Sequence, residues 1–207
     1  MVPDSILTSE EQAYLAELAN EEPAHRQSSS PSFKIEGNWQ ATELLARLAA
    51  NSRLSLEAET GRFCLSFQLQ LVEDEFHSQH IELSAPTIYE TGPKMRAWRL
   101  QLKRPLPLLE ADGGKSALRV HELSPNGLLV GNLHNSPPEH FHLHLPLPDG
   151  EAMPISAHRV RETKSGLTAY EVEFSEEQDT ERLRRFLFSQ HRRLHPELES
   201  ELPEDLV

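Results

Sequence analysis

Cysteine is almost missing from this chain: Cys64 stands alone, which excludes an intramolecular disulfide and any cysteine-rich zinc module. No apolar run approaches the roughly 20 residues that cross a bilayer. A transmembrane or signal-peptide segment is therefore not expected, and a soluble, cytoplasmic protein without membrane insertion is. Base is also scarce: 20 Lys and Arg face 33 Asp and Glu, a formal net charge of −13. That balance disfavours general attraction to DNA, RNA or anionic membrane, so any anionic ligand needs a local basic site. There is no Gly-rich phosphate loop followed by Lys and Ser/Thr, no G-x-S-x-G elbow and no H-E-x-x-H. Nothing pairs a nucleophile with a base at an interpretable spacing, so the expectation is a non-enzyme without a cofactor.

What is present is 207 residues, 37% of them hydrophobic and 26% charged, enough for one or two domains with a sizeable core. Thr8 or Ser9 before Glu10, Glu11 and Gln12 reads as a helix start, with Tyr14, Leu15 and Leu18 as its stripe. Polar residues and prolines over about 20–32 have little to bury and read as a linker. A second short helix fits 41–50, where Leu44, Leu45 and Leu48 share a face. The alternation Phe63, Leu65, Phe67, Leu69, Leu71 against Cys64, Ser66, Gln68 and Gln70 is the period-2 signature of a half-buried strand. Glu59-Thr60-Gly61 looks like the turn into it, with shorter strands on either side at 53–58 and 79–84.

Gly92-Pro93 marks a boundary. Beyond it, strands fit 98–103, 118–122, 128–132, 141–147, 155–162 and 168–174, and six short strands punctuated by turn residues suggest a barrel. Asp112-Gly113-Gly114, Ser124-Pro125-Asn126-Gly127, Pro148-Asp149-Gly150 and Lys164-Ser165-Gly166 each offer a residue that tolerates positive φ. After Phe174 the period changes: Ser175 can cap, acids open a helix, and Leu183, Phe186, Leu187, Gln190 and Leu194 mark one face until Pro196. The fold class is mostly β (α+β), with residues 1–32 a helix and linker, 33–92 a smaller α+β domain, 93–195 a six-stranded barrel with its C-terminal helix, and 196–207 an acidic, solvated tail.

The segment His121-Glu122-Leu123-Ser124-Pro125-Asn126-Gly127-Leu128-Leu129-Val130 is a strand, a polar turn and an apolar strand. By local physics alone it is ordinary hairpin chemistry, with Ser124 or Asn126 bonding nearby backbone and Gly127 in a left-handed conformation. In context it resembles the Asp-x-Ser-x-x-Gly turn of the PilZ family. That family's six-stranded barrel follows an Arg-x-x-x-Arg arm, and arm and turn together bind the bacterial second messenger cyclic di-GMP. The resemblance runs from about Gly92 to Leu194, with Tyr170-Glu171-Val172-Glu173-Phe174 as the last strand and Glu181-Arg182-Leu183-Arg184-Arg185-Phe186 in the helix. The first half is similar to the N-terminal domain of two-domain, flagellar-brake-type members. Guanidinium suits such a ligand because its planar donors match phosphate oxygens and the guanine O6 and N7 edge. The sequence departs from the pattern twice: four residues before Arg99, the second arm arginine, stands Met95, and Glu122 replaces the shorter acid.

The resemblance implies cyclic di-GMP as a regulatory ligand held by Lys94, Arg96, Arg99, Glu122, Ser124, Asn126 and Gly127. It also implies a non-catalytic receptor that relays binding through domain packing to motility or surface-attachment machinery, in the setting of motility and biofilm formation. The alternative is a ligand-independent adaptor with a vestigial motif. On a strand, His140, His142 and His144 share one face, which is either a wet outer surface or a metal clasp, with His134 and His158 as further ligands if the fold brings them in. The basic residues Arg182, Arg184, Arg185, His191, Arg192, Arg193 and His195 suggest either a solvated helix face or a dock for an acidic partner. Phe186 and Phe188 lie two apart and cannot share a helical face, so Phe188 is expected to be exposed for a partner.

Overall fold

A computed structural model of the protein describes residues 54–73, 79–132, 137–148 and 150–201. The helix start at Thr8 or Ser9, the linker over 20–32, the helix over 41–50, His134 and the last six residues of the tail lie outside them. The described chain divides into two compact units, one formed by Arg99–Thr180, the other by residues up to Trp98 together with those from Glu181 onward.

The first unit in chain order holds β1 (Ser55–Thr60), β2 (Phe63–Glu73), β3 (Gln79–Leu83), β4 (Thr87–Glu90) and β5 (Arg96–Ala97). The strands run in the order β1-β2-β4-β5, with β3 on the far part of β2. Gly61 at φ +54° makes the turn from β1 to β2, a conformation that only glycine adopts without cost. Phe63, Leu65 and Phe67 are buried as their alternation requires, and Cys64 is buried as well. It sits between Glu59 of β1 and Tyr89 of β4, where burial, then Glu57 and Glu59, push its thiol pKa up. β4 and β5 are too short to show a periodicity, and the sequence does not announce them.

The helix α1 spans Glu177–Leu194 and opens on Glu177 and Asp179. Sequence reasoning groups it with the barrel that precedes it, whereas from Glu181 onward it packs on the strands of the first unit. Phe188 meets the Phe67 ring edge to face at 6.3 Å, and Ala85 N–H donates to Glu181 Oε1 at 2.6 Å. Phe188 is therefore buried, not free for a partner, and so is His191, which the sequence placed on the basic face. The helix buries more than one stripe: Leu183, Phe186, Leu187, Phe188 and Gln190 are all inside. Residues Pro196–Glu201 of the acidic tail wind into a 3-10 turn, and Leu198 reaches the Gly61 turn.

The second unit is the barrel: β6 (Leu100–Leu109), β7 (Lys115–Ser124), β8 (Gly127–Asn132), β9 (His140–Leu145), β10 (Met153–Glu162) and β11 (Thr168–Phe174). It closes in the order β10-β11-β8-β7-β6-β9, every pair antiparallel. Closure leaves no free edge. Leu108, Val120, Leu123, Val130, Leu145, Met153 and Ala157 fill the interior. Gly113 and Gly166 take the positive φ values their turns demand, at 83° and 77°. Register shifts on β6 and between Val120 and Glu122 on β7 bend the strands that carry the candidate site.

Candidate functional site

The hairpin β7–β8 closes through the pair Ser124↔Gly127, with Pro125 and Asn126 as its two-residue loop. Ser124 Oγ donates to the Gly127 carbonyl at 3.0 Å, so the hydroxyl holds the turn. Gly127 does not adopt the left-handed conformation that local turn chemistry suggests, since the positive-φ glycines are Gly61, Gly113 and Gly166. Its role is closeness: a Cβ there would lie 3.1 Å from Ser124 Oγ and 3.2 Å from the Tyr170 carbonyl.

Beside this turn is a small recess of about 50 Å³ lined by Arg99, Glu122, Ser124, Gly127, Leu129 and Tyr170, among others. Register explains the gathering: Leu100 pairs with Leu123 and Gln101 with Glu122, which sets Arg99 at the mouth of β6 beside the end of β7. Arg99 Nη1 stands 4.0 Å from Glu122 Oε2, with the two side chains 53% and 22% exposed. At that distance and exposure the pair contributes little to stability, and the guanidinium can exchange its partner for a ligand. The Tyr170 hydroxyl donates to the Pro138 carbonyl at 2.7 Å and its ring meets Phe141 at 4.8 Å. Burial pushes its pKa up, so it is a fixed neutral wall.

Of the residues chosen from sequence, Arg99, Glu122, Ser124 and Gly127 come together. Asn126 is exposed at the loop tip and is outside the recess lining, its carbonyl accepting from Val172 N–H at 3.0 Å. Lys94 and Arg96 belong to the other unit, where they line a separate hollow with Arg62, Glu90 and Met95. There Arg96 Nε pairs with Glu90 Oε2 at 3.7 Å. Sequence reasoning missed Leu129, Ala169 and Tyr170, which β8 and β11 bring in through the pairs Ala169↔Leu129 and Tyr170↔Leu128. Only the period-2 pattern of those strands hinted at them.

His140 and His142 face outward and His144 is half-buried, while Phe141, Leu143 and Leu145 face in. The three imidazoles do not converge: His140 meets His158 and His142 meets Ser156 across β10. Among the described residues no group of three or more His, Cys, Asp or Glu is placed so as to hold a metal ion. On α1, the basic face is partly used internally, since Arg184 and Arg185 pair with Glu181 at 3.7 and 4.0 Å.

No family model matches this sequence, and no curated protein does. Two solved structures resemble it. YcgR of Escherichia coli in complex with c-di-GMP is 17% identical over 77% of this chain and 74% of that one, with a TM-score of 0.33. The Bacillus subtilis inhibitor of motility MotI/DgrA is 18% identical over 67% of this chain and 73% of that one, with a TM-score of 0.32. The fold itself is a closed six-stranded antiparallel barrel that follows a smaller set of strands and precedes the helix α1. No helix of the described residues is long and apolar enough to cross a membrane.

Proposed function

We propose that the protein is a non-catalytic receptor or adaptor of the PilZ type that binds cyclic di-GMP at the recess beside the β7–β8 turn. The observation that carries this reading is the meeting of Arg99 with Glu122, Ser124 and Gly127 of the β7–β8 hairpin around one hollow. Arg99 would hold a phosphate or the O6 and N7 edge of guanine. Glu122 would accept from guanine N–H groups, and Ser124 would add a hydroxyl. The recess, at about 50 Å³, is much smaller than a complete ligand site, so it would take only a phosphate oxygen or the edge of a base. The rest of the dinucleotide would be met by the arm, with Lys94 and Arg96 as its cations, and its binding would alter how the two units pack. That change is the signal passed to motility or attachment machinery in the cytoplasm.

The Arg99–Glu122 pair, formed without ligand, favours one second reading: an adaptor whose site has become self-satisfied and which binds a protein partner alone. Isothermal titration of the full chain with cyclic di-GMP, with GTP as control, separates the two. In the receptor reading, binding saturates and Arg99→Ala weakens it tenfold or more, the loss of a charge-assisted contact of about 1.5 to 3 kcal/mol. Absence of heat and of any thermal shift at high ligand would leave the adaptor.

A further inference from the structure

On the outer face of the barrel, β9 and β10 set His140 directly opposite His158. Arg159 N–H donates to the Glu139 carbonyl at 2.8 Å, so Arg159 and Glu139 form a hydrogen-bonded pair. By the alternation of antiparallel ladders, His158 and His140 form the non-hydrogen-bonded pair next to it, in which side chains come closest. The imidazoles use that closeness: their Nδ1 atoms are 2.6 Å apart and their centroids 4.7 Å, edge to face. Two neutral imidazoles at this distance share a single proton, one ring donating and the other accepting.

Replacing that proton by an ion needs little movement. Two nitrogens bound at about 2.0–2.1 Å to a tetrahedral centre lie about 3.3 Å apart, which small side-chain rotations of two exposed rings can supply. A carboxylate is aligned with them. β11 sets Glu171 opposite His158 on its other side, so that His140, His158 and Glu171 form one row across three strands on the solvent face. The Cα atoms of a hydrogen-bonded pair such as His158 and Glu171 are about 5.5 Å apart, within reach of a glutamate side chain. The nearby acid Glu139 is already engaged by Arg159 at 2.8 Å. A net charge of −13 favours cation uptake generally.

We propose that His140 and His158, with Glu171 swung in as third ligand, form a surface site for an imidazole-preferring divalent metal ion such as zinc or copper. The single-strand row His140, His142, His144 is a poorer clasp, because neighbours along one strand stand roughly 6.5 to 7 Å apart. The site uses none of the residues that line the recess of the nucleotide reading, although Glu171 is the register partner of Gly127.

The test is calorimetric titration of the untagged, metal-stripped full chain with zinc sulfate, repeated with copper chloride. One equivalent should bind saturably, copper more tightly than zinc as the usual ion order requires. His140→Ala and His158→Ala should each weaken zinc at least tenfold and Glu171→Gln several-fold, while His142→Ala changes nothing. All four positions are on the barrel surface, and matching far-UV spectra confirm folding. Should a variant misfold, imidazole nitrogen shifts of the wild type decide, since zinc must move the signals of His140 and His158. No saturation below about 100 µM zinc, or binding that survives both alanine variants, overturns the site.

Discussion

At Gly127 a hydrogen in place of a methyl sets how near the hairpin turn lies to β11. Two effects compete in Gly127→Ala. Alanine restricts the unfolded chain and would stabilise by about 0.4 to 1 kcal/mol if it fitted. The new Cβ, however, meets a backbone carbonyl at 3.2 Å and the Ser124 hydroxyl at 3.1 Å. The hydroxyl can rotate only by giving up its bond to the Gly127 carbonyl, and the carbonyl belongs to a barrel strand that cannot yield alone. Overpacking of this kind costs roughly 1 to 3 kcal/mol, so the net outcome should be destabilisation of about 1 kcal/mol. Urea unfolding would show it as a lower midpoint at unchanged slope, and an unchanged or higher midpoint would mean that the turn has slack.

At the scale of the element, α1 carries a histidine in an apolar setting. His191 receives ring edges from Phe63 at 4.5 Å and Trp98 at 5.0 Å, and its Nε2 is buried without a hydrogen-bond partner. Burial, then the neighbouring His195, hold its pKa down at about 4, with Arg62 adding to the drop and Glu197 opposing it. An unfolded histidine titrates near 6.5. Above pH 7 neither state binds the proton and His191 contributes no pH dependence. As pH falls from 6.5 towards 4, the unfolded chain gains a proton that the folded chain refuses, and stability is lost. The full difference corresponds to roughly 3 kcal/mol. In His191→Phe the loss of unfolding free energy between pH 7.5 and 4.5 should be smaller than in the wild type by roughly 2 to 3 kcal/mol, measured by urea unfolding at both values. Equal losses in the two proteins would show that His191 is not held neutral.

For the whole molecule, the chain leaves the first strand unit at Trp98, builds the barrel, and returns to the first unit at Glu181. The barrel is closed by its own strands, whereas Phe63, Phe67 and Trp98 have their aromatic partners on α1. Ending the chain at Thr180 should therefore leave amide exchange in β6–β11 slow while β2 and β4 lose protection. Retained protection in β2 and β4 would mean that the strands hold without the helix. Nine of the eleven strands among the described residues, and the helix, were legible because their signals are local: period 2 over Phe63–Leu71, turn residues between strands, and a capped amphipathic run after Phe174. β4 and β5, of four and two residues, carry no such signal and exist because β2 offers an edge to β4 and β4 offers one to β5.

What the sequence determined by itself was the mostly β class and the hairpin at Ser124–Gly127. These follow from composition, periodicity and turn chemistry, which act within a few residues along the chain. Only the tertiary structure decided that Arg99 meets Glu122, that Tyr170 walls the recess, that Lys94 and Arg96 line a different hollow, and that His140 faces His158. It also placed α1 against strands more than a hundred residues earlier, and so buried Phe188 and His191. The reason is register: which residues of distant strands stand opposite one another depends on bulges, closure and the burial of both faces, and no local pattern encodes those.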